Sequence, residues 1–238
     1  MNIDSKEIKK HIKEHYNKSK GWREGFKSTK NDTRISKLIN YLKRKQLAQI
    51  LKKTEKLNIK NILDAGCGNG EYSLALARNF PEAKIHAIDF STSMCDLTKK
   101  RAEEANLQNI IVREGDIENI QFENNVFDLV LCIDLLHHIP NESIHKGLSE
   151  LQRVAKQDTH IIVDFKNKHN PLLYYQHQKD NRITYYRSNR TLKEMTFFLN
   201  KQGITVESSK GSGGPRQIAP YVTVFCKKVV SKNEATKK

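Results

Sequence analysis

The chain has 238 residues, 42 Lys and Arg against 27 Asp and Glu, and a formal net charge of +15. That length suits one sizeable α/β domain with an appendage and is short for two independent domains. No apolar run approaches the ~20 residues of a membrane span, and the first residues lack a signal peptide's apolar segment, so a cytoplasmic protein is expected. Cys67, Cys95, Cys132 and Cys226 form no C-x-x-C pair and fit reduced, buried thiols better than a zinc site or disulfides.

In chain order, residues 5–18 and 33–57 have apolar side chains at three- and four-residue spacings and read as helices capping the main domain. The loop between them holds two glycines with Trp22 and Phe26 and reads as a lid. The stretch Ile62-Leu-Asp-Ala-Gly-Cys-Gly-Asn-Gly70 is a short apolar strand ending in a carboxylate and three alternate glycines, and residues 71–79 then have helical spacing. A dinucleotide fingerprint would need a third glycine at position 71, which is Glu71, and no G-x-x-x-x-G-K-[ST] is present. The remaining pattern, Asp64-x-Gly66-x-Gly68-x-Gly70, resembles the first motif of class I S-adenosylmethionine-dependent methyltransferases.

The following segments are read beside that resemblance. Residues 83–89 are a second strand ending in Asp89, about twenty residues after Gly66, where a doubly wound sheet places the carboxylate that accepts from a ribose. A helix N-cap is the alternative reading of Asp89, although Ser91 and Ser93 can serve there. A third strand covers 109–114, and Gly115-Asp116-Ile117 resembles the family's adenine-binding turn, or is an ordinary surface turn. The strand at 126–133 is apolar enough to be central, and a helix at 141–156 and a strand at 159–165 complete five alternating units. A helix at 191–201 and strands at 204–208 and 221–227, joined by a glycine-rich connection at 210–216, read as an antiparallel closure of the sheet edge.

The expected fold is therefore α/β, a doubly wound, seven-stranded, mostly parallel sheet of the Rossmann-like methyltransferase type over residues 58–228. Residues 1–57 form its helical cap, 166–190 a substrate-lid insertion, and 229–238 a disordered tail. The resemblance implies S-adenosyl-L-methionine as cofactor, held by Asp64, Gly66, Gly68, Gly70, Asp89, Phe90, Asp116, Ile117 and Ile133.

His137 and His138 follow the fourth strand, where open α/β sheets bind ligands, and are the candidate catalytic residues for an acceptor that must lose a proton. Ubiquinone-pathway O-methyltransferases carry a metal-binding Glu-x-x-Glu-His at this place; Asp134-x-x-His137-His138 departs from it, and no metal is predicted. Methyltransferases of the tRNA wobble uridine also carry a His-His pair here. The motifs of adenine and cytosine methylation in DNA are missing.

Tyr16, Trp22, Tyr174, Tyr175, Tyr185 and Arg187 are the candidate acceptor contacts, as stacking faces and an anion partner, or else plain packing residues of a lid helix. Charge is divided unevenly: residues 1–60 carry 18 basic against 6 acidic side chains, 61–165 carry 9 against 17, and 166–238 carry 15 against 4. The acidic middle suits a sulfonium, while the basic flanks suit an anionic acceptor, peripheral contact with a lipid surface, RNA, or simply water. The resulting expectation is methyl transfer to a small, anionic or lipid-linked molecule. A tRNA methyltransferase and a non-catalytic cofactor-binding subunit are the alternatives, and the oligomeric state is not set.

Overall fold

The computed structural model describes residues 5–18, 34–171, 173 and 189–228. Its elements in chain order are α1 (Ser5–Lys18), α2 (Arg34–Thr54), β1 (Asn61–Ala65), α3 (Glu71–Asn79), β2 (Lys84–Asp89), α4 (Thr92–Glu104), β3 (Ile110–Glu114), β4 (Phe127–Cys132), α5 (Asn141–Val154), β5 (Ala155–Lys166), α6 (Leu192–Lys201), β6 (Ile204–Ser212) and β7 (Tyr221–Lys228). The seven strands form one sheet in the order β3-β2-β1-β4-β5-β7-β6. Strands β1 to β5 pair in parallel, and β7 is antiparallel to both β5 and β6. The fold expected from the sequence is the fold observed.

Alternation along the strands divides the core between the two faces of the sheet. Leu63, Val130, Cys132, Ile161 and Val163 pack with Leu148 and Leu151 of α5 and Met195 and Leu199 of α6. Ile62, Leu129, Leu131 and Ile162 pack on the other face with Ile50 of α2 and Tyr72 and Leu76 of α3. The buried stripe of α2 runs through Leu42, Lys43, Gln46, Ile50 and Thr54, so three polar side chains, Lys43, Gln46 and Thr54, enter the interior with the apolar ones. The strand order reverses between β1 and β4, which opens a crevice at their carboxyl ends.

Two boundaries differ from expectation. Helix α5 ends at Val154 and β5 begins at Ala155, because the pairing slips from Phe127↔Ala155 to Leu129↔His160 and the intervening residues bulge out, with Asp158 at φ 58°. Strand β6 runs on to Ser212, past the end expected at 208 and into the glycine-rich connection expected at 210–216. At Gly211 a Cβ would lie 2.6 Å from the Ala219 Cβ and from the Gly214 oxygen, so the missing side chain lets the chain fold back while still pairing with Val222. No helix among the described residues is long and apolar enough to cross a membrane.

Candidate active site

The glycine turn after β1 is fastened to β2. Gly66 and Cys67 donate their N–H groups to the Ile88 carbonyl at 2.7 and 2.9 Å, and Gly68 donates to Asp89 Oδ2 at 2.9 Å. Asp89 Oδ1 accepts from the Ser91 N–H at 2.9 Å, and Ser91 itself caps α4. Each of these carboxylate oxygens retains a second lone pair. Burial raises the Asp89 carboxyl above its ordinary range, and the two backbone donors work against that rise.

All three glycines have positive φ, at 78°, 53° and 80°, but only Gly68 faces open space. A Cβ at Gly66 would lie 2.9 Å from Leu135 Cδ2, and one at Gly70 2.7 Å from Thr98 Cγ2. The space beside Gly66 and Gly70 is thus filled by the chain's own side chains, and the space beside Gly68 is open. Helix α4 clamps the turn from outside: Thr98 Oγ1 donates to the Gly68 oxygen at 2.8 Å, and Arg101 donates to the Asn69 oxygen at 2.6 Å and pairs with Glu71.

A narrow cavity with about 30 Å³ of internal space, partly open to solvent, lies against this turn. Gly66, Asp89, Phe90, Asp116 and Ile117 all line it, while Lys9 and Ile12 of α1 and Leu135 and Ile139 complete it. Lys9 reaches Asp116 Oδ2 at 2.9 Å and Glu118 Oε1 at 2.5 Å, so α1 is tied to the turn read as the adenine site. Asp64 and Ile133 are placed differently, beneath the turn. Asp64 is buried and accepts from Ser73 Oγ at 2.5 Å, and Ile133 packs in the core with Tyr72 and Leu131. Burial pushes the Asp64 carboxyl up to about 6.

At the carboxyl end of β4 the chain turns sharply through Asp134, at φ 59°, into a single 3-10 turn bearing His137 and His138, both buried. His137 Nε2 lies 3.2 Å from Asp134 Oδ1, and Lys43 of α2 pairs with Asp134 Oδ2. The Asp134 N–H donates to Asp164 Oδ1 at 2.7 Å; Gln46 Nε2 donates to Asp164 Oδ2 at 2.8 Å, and Tyr72 donates to Gln46 Oε1 at 2.9 Å. Burial alone would raise Asp134, but the Lys43 charge and the His137 contact outweigh it and hold the carboxyl well below the usual range. Burial and the Asp134 charge push Asp164 up to about 6. Burial and the nearby Lys166 push His137 down to about 3, so its imidazole is neutral at physiological pH. Ligating atoms of Asp134, His137 and His138 lie within 4.8 Å of one another, but the Lys43 ammonium already supplies the positive charge of this cluster.

Residues 62–158 match the family model described as a methyltransferase domain. That region is similar to a methyltransferase domain, and the sheet order around it is that of the Rossmann-like methyltransferase fold. Among curated relatives, the ubiquinone biosynthesis O-methyltransferase of Coxiella burnetii is 36% identical over 104 residues, which is 44% of this chain and 42% of that protein. The demethylmenaquinone methyltransferase of Staphylococcus aureus is 31% identical over 101 residues, 42% of this chain and 40% of that protein. These matches span less than half the length of those relatives. Among solved structures, the magnesium protoporphyrin IX methyltransferase of Synechocystis PCC 6803 with bound S-adenosylhomocysteine shares the fold, with a TM-score of 0.76 and 18% identity over 92% of this chain and 99% of that one.

Of the acceptor contacts expected from the sequence, Tyr16 is the one described. Its ring stands edge-on to His138 at 5.8 Å between centroids, and its carbonyl accepts from Ser93 Oγ at 3.3 Å. Trp22, Phe26, Tyr174, Tyr175, Tyr185 and Arg187 lie outside the described residues, as does the tail from 229. Arg190, at the end of the insertion, is buried over the Phe198 ring and bonded to Asn141 at the start of α5, a packing position. Lys43, Gln46, Tyr72, Thr98, Arg101 and Asp164 belong to the site and carry no motif that could have announced them. The one available sign was a Lys and a Gln on the apolar stripe of α2.

Proposed function

We propose that the chain is an S-adenosylmethionine-dependent methyltransferase whose acceptor is a small molecule bearing an O–H or N–H group. The observation that carries this reading is the meeting of two features at the carboxyl ends of β1 and β4. A glycine turn with one open position borders an Asp89-lined cavity, and a buried imidazole pair stands beside it on the same crevice. The cofactor, when bound, supplies an electrophilic methyl group on a sulfonium whose departure leaves a neutral thioether.

Asp89 would accept from the ribose hydroxyls through its remaining lone pairs, and Ile117 would cover one face of the base. Asp116 would take the exocyclic amine once Lys9 gives it up. Gly68 gives the backbone close approach, and the buried Asp64 carboxylate places negative charge beneath the cationic end. Displacement at a methyl carbon asks mainly for alignment, so the protein's work is to hold the acceptor in line and exclude water. His137, kept neutral, is suited to accept a hydrogen bond from the acceptor rather than to store its proton, because an efficient base has its pKa near the working pH. His138, whose ring centre lies 4.0 Å from that of His137 with the planes tilted by 47° and whose ring faces Tyr16, is the group left for proton removal. The ubiquinone-pathway relative is an O-methyltransferase by name, which is consistent with a hydroxyl as acceptor.

Labelled S-adenosylmethionine incubated with a cell extract, followed by mass spectrometry, tests the reading. The wild-type protein should yield a product one methylene heavier than its precursor, and Gly68→Arg should not. No labelled product with folded wild-type protein that binds the cofactor would leave only the non-catalytic alternative.

A further inference from the structure

Lys43 stands on the buried stripe of α2 with its side chain 8% exposed, and its ammonium pairs with Asp134, which is far away in sequence. A buried ammonium is costly unless it is fully partnered, and the apolar neighbours Leu42 and Ile50 do not need it for packing. Asp134 is gripped from a second side as well, since its backbone N–H donates to Asp164, which Gln46 of the same helix holds in turn. With Oδ2 taken by Lys43, Asp134 has Oδ1 facing His137 Nε2 at 3.2 Å. Both ring nitrogens are buried and neither meets full hydrogen-bond geometry with a partner among the described residues; Nε2 is the one 3.2 Å from a carboxylate oxygen, which leaves Nδ1 for a further partner. A buried nitrogen left in this state points to a missing partner, and its segment also furnishes Leu135 to the cofactor cavity.

We propose that Lys43 is a positioning residue of the acceptor site: by holding Asp134 Oδ2 it aims Oδ1 at the His137 Nε2–H, leaving His137 Nδ1 to accept a hydrogen bond from the methyl acceptor. The acceptor's part in this rests on the methyltransferase reading, whereas the Lys43–Asp134–His137 arrangement stands on its own geometry. The groups around His137 and its partner are Lys43 of α2, Asp164 and Lys166 of β5, Tyr221 of β7, Asp134 and His138. Asp134 is the negative charge that approaches the ring to 3.2 Å, and Lys43 pairs with its other carboxylate oxygen. A Lys43 that served packing alone would not govern which ring nitrogen carries the proton.

Nitrogen-15 NMR of the full chain, labelled at histidine, reads that choice directly. The wild type should show His137 neutral and protonated on Nε2 alone, with a slowly exchanging proton. Lys43→Gln should mix the two tautomers or speed that exchange at least tenfold, and Lys43→Arg should restore the wild-type signal. A wild-type His137 protonated on Nδ1, or a Lys43→Gln spectrum identical to wild type, overturns the proposal. If Lys43→Gln does not fold, the wild-type tautomer and the Lys43→Arg spectrum decide. Calorimetric titration with S-adenosylhomocysteine runs beside it and should give the same affinity, within twofold, for wild type and Lys43→Arg. Absence of binding to the wild type sinks the methyltransferase reading without touching the tautomer result.

Discussion

Asp64 is a carboxylate that the folded chain holds at an energetic cost. Its folded pKa of about 6 lies above the unfolded value of 3.8, so the folded state keeps a proton that the unfolded state releases first. Stability is therefore lost as pH rises from about 4 to 6 and stays lost above that window, by roughly 3 kcal/mol at most for a shift of this size. Asp164 has the same sign and the same window, for the same reason of burial. Asp64→Asn keeps an acceptor for Ser73 and removes the charge, so thermal melts at pH 7 should show a gain of about 1–3 kcal/mol over wild type. The same variant should bind S-adenosylmethionine about tenfold more weakly, because one charge beneath the cationic end is gone. Equal stability at pH 7 would show that Asp64 is not held at a cost. At Gly68, Ala carries a side chain into a φ of 53° and should cost about 1 kcal/mol of stability, with a larger loss in cofactor affinity than in stability.

At the scale of elements, two helices set the cofactor site from opposite sides. Helix α4 fixes the glycine turn through the Thr98 hydroxyl, and Thr98→Val, nearly equal in volume, should cost about 1–2 kcal/mol in chemical denaturation and weaken cofactor binding severalfold. Helix α1 closes the cavity through Ile12 and Lys9, and Lys9 occupies the carboxylate that the adenine amine would use. Lys9→Met should therefore tighten cofactor binding severalfold in calorimetry; weaker binding would mean that the pair holds α1 in its productive place. The strands, α3 to α5 and the glycine turn were legible because their signals are local: alternation, helical spacing and glycines at positive φ. The Lys43, Gln46 and Asp164 network was not, because its bonds join α2 to strand ends 91 and 118 residues away. A one-dimensional pattern shows a polar residue on an apolar stripe and says nothing of its partner. The glycines show the same limit: their spacing does not tell that the room beside Gly66 and Gly70 belongs to Leu135 and Thr98.

Over the whole molecule, the acidic middle third builds the crevice and the basic thirds flank it. The distribution suits a cationic cofactor at the centre, and basic residues are the part of the chain that any polyanion would meet first. If tRNA were the acceptor, its binding should fall steeply with salt along a slope of several phosphates. The small-molecule reading predicts instead that tRNA binding is weak at 0.15 M salt and that methylated product forms without RNA, a point that ribonuclease treatment of the extract checks. The central claim is that the turn from Asp64 to Gly70, with Asp89, is an S-adenosylmethionine site. Isothermal titration calorimetry with S-adenosylhomocysteine tests it most directly. Wild type should bind at one site, and Asp89→Ala, shown folded by circular dichroism, should lose about a hundredfold in affinity with the ribose hydrogen bonds. Wild-type protein that binds no S-adenosylhomocysteine, or an Asp89→Ala variant that binds it as tightly as wild type, would contradict the assignment.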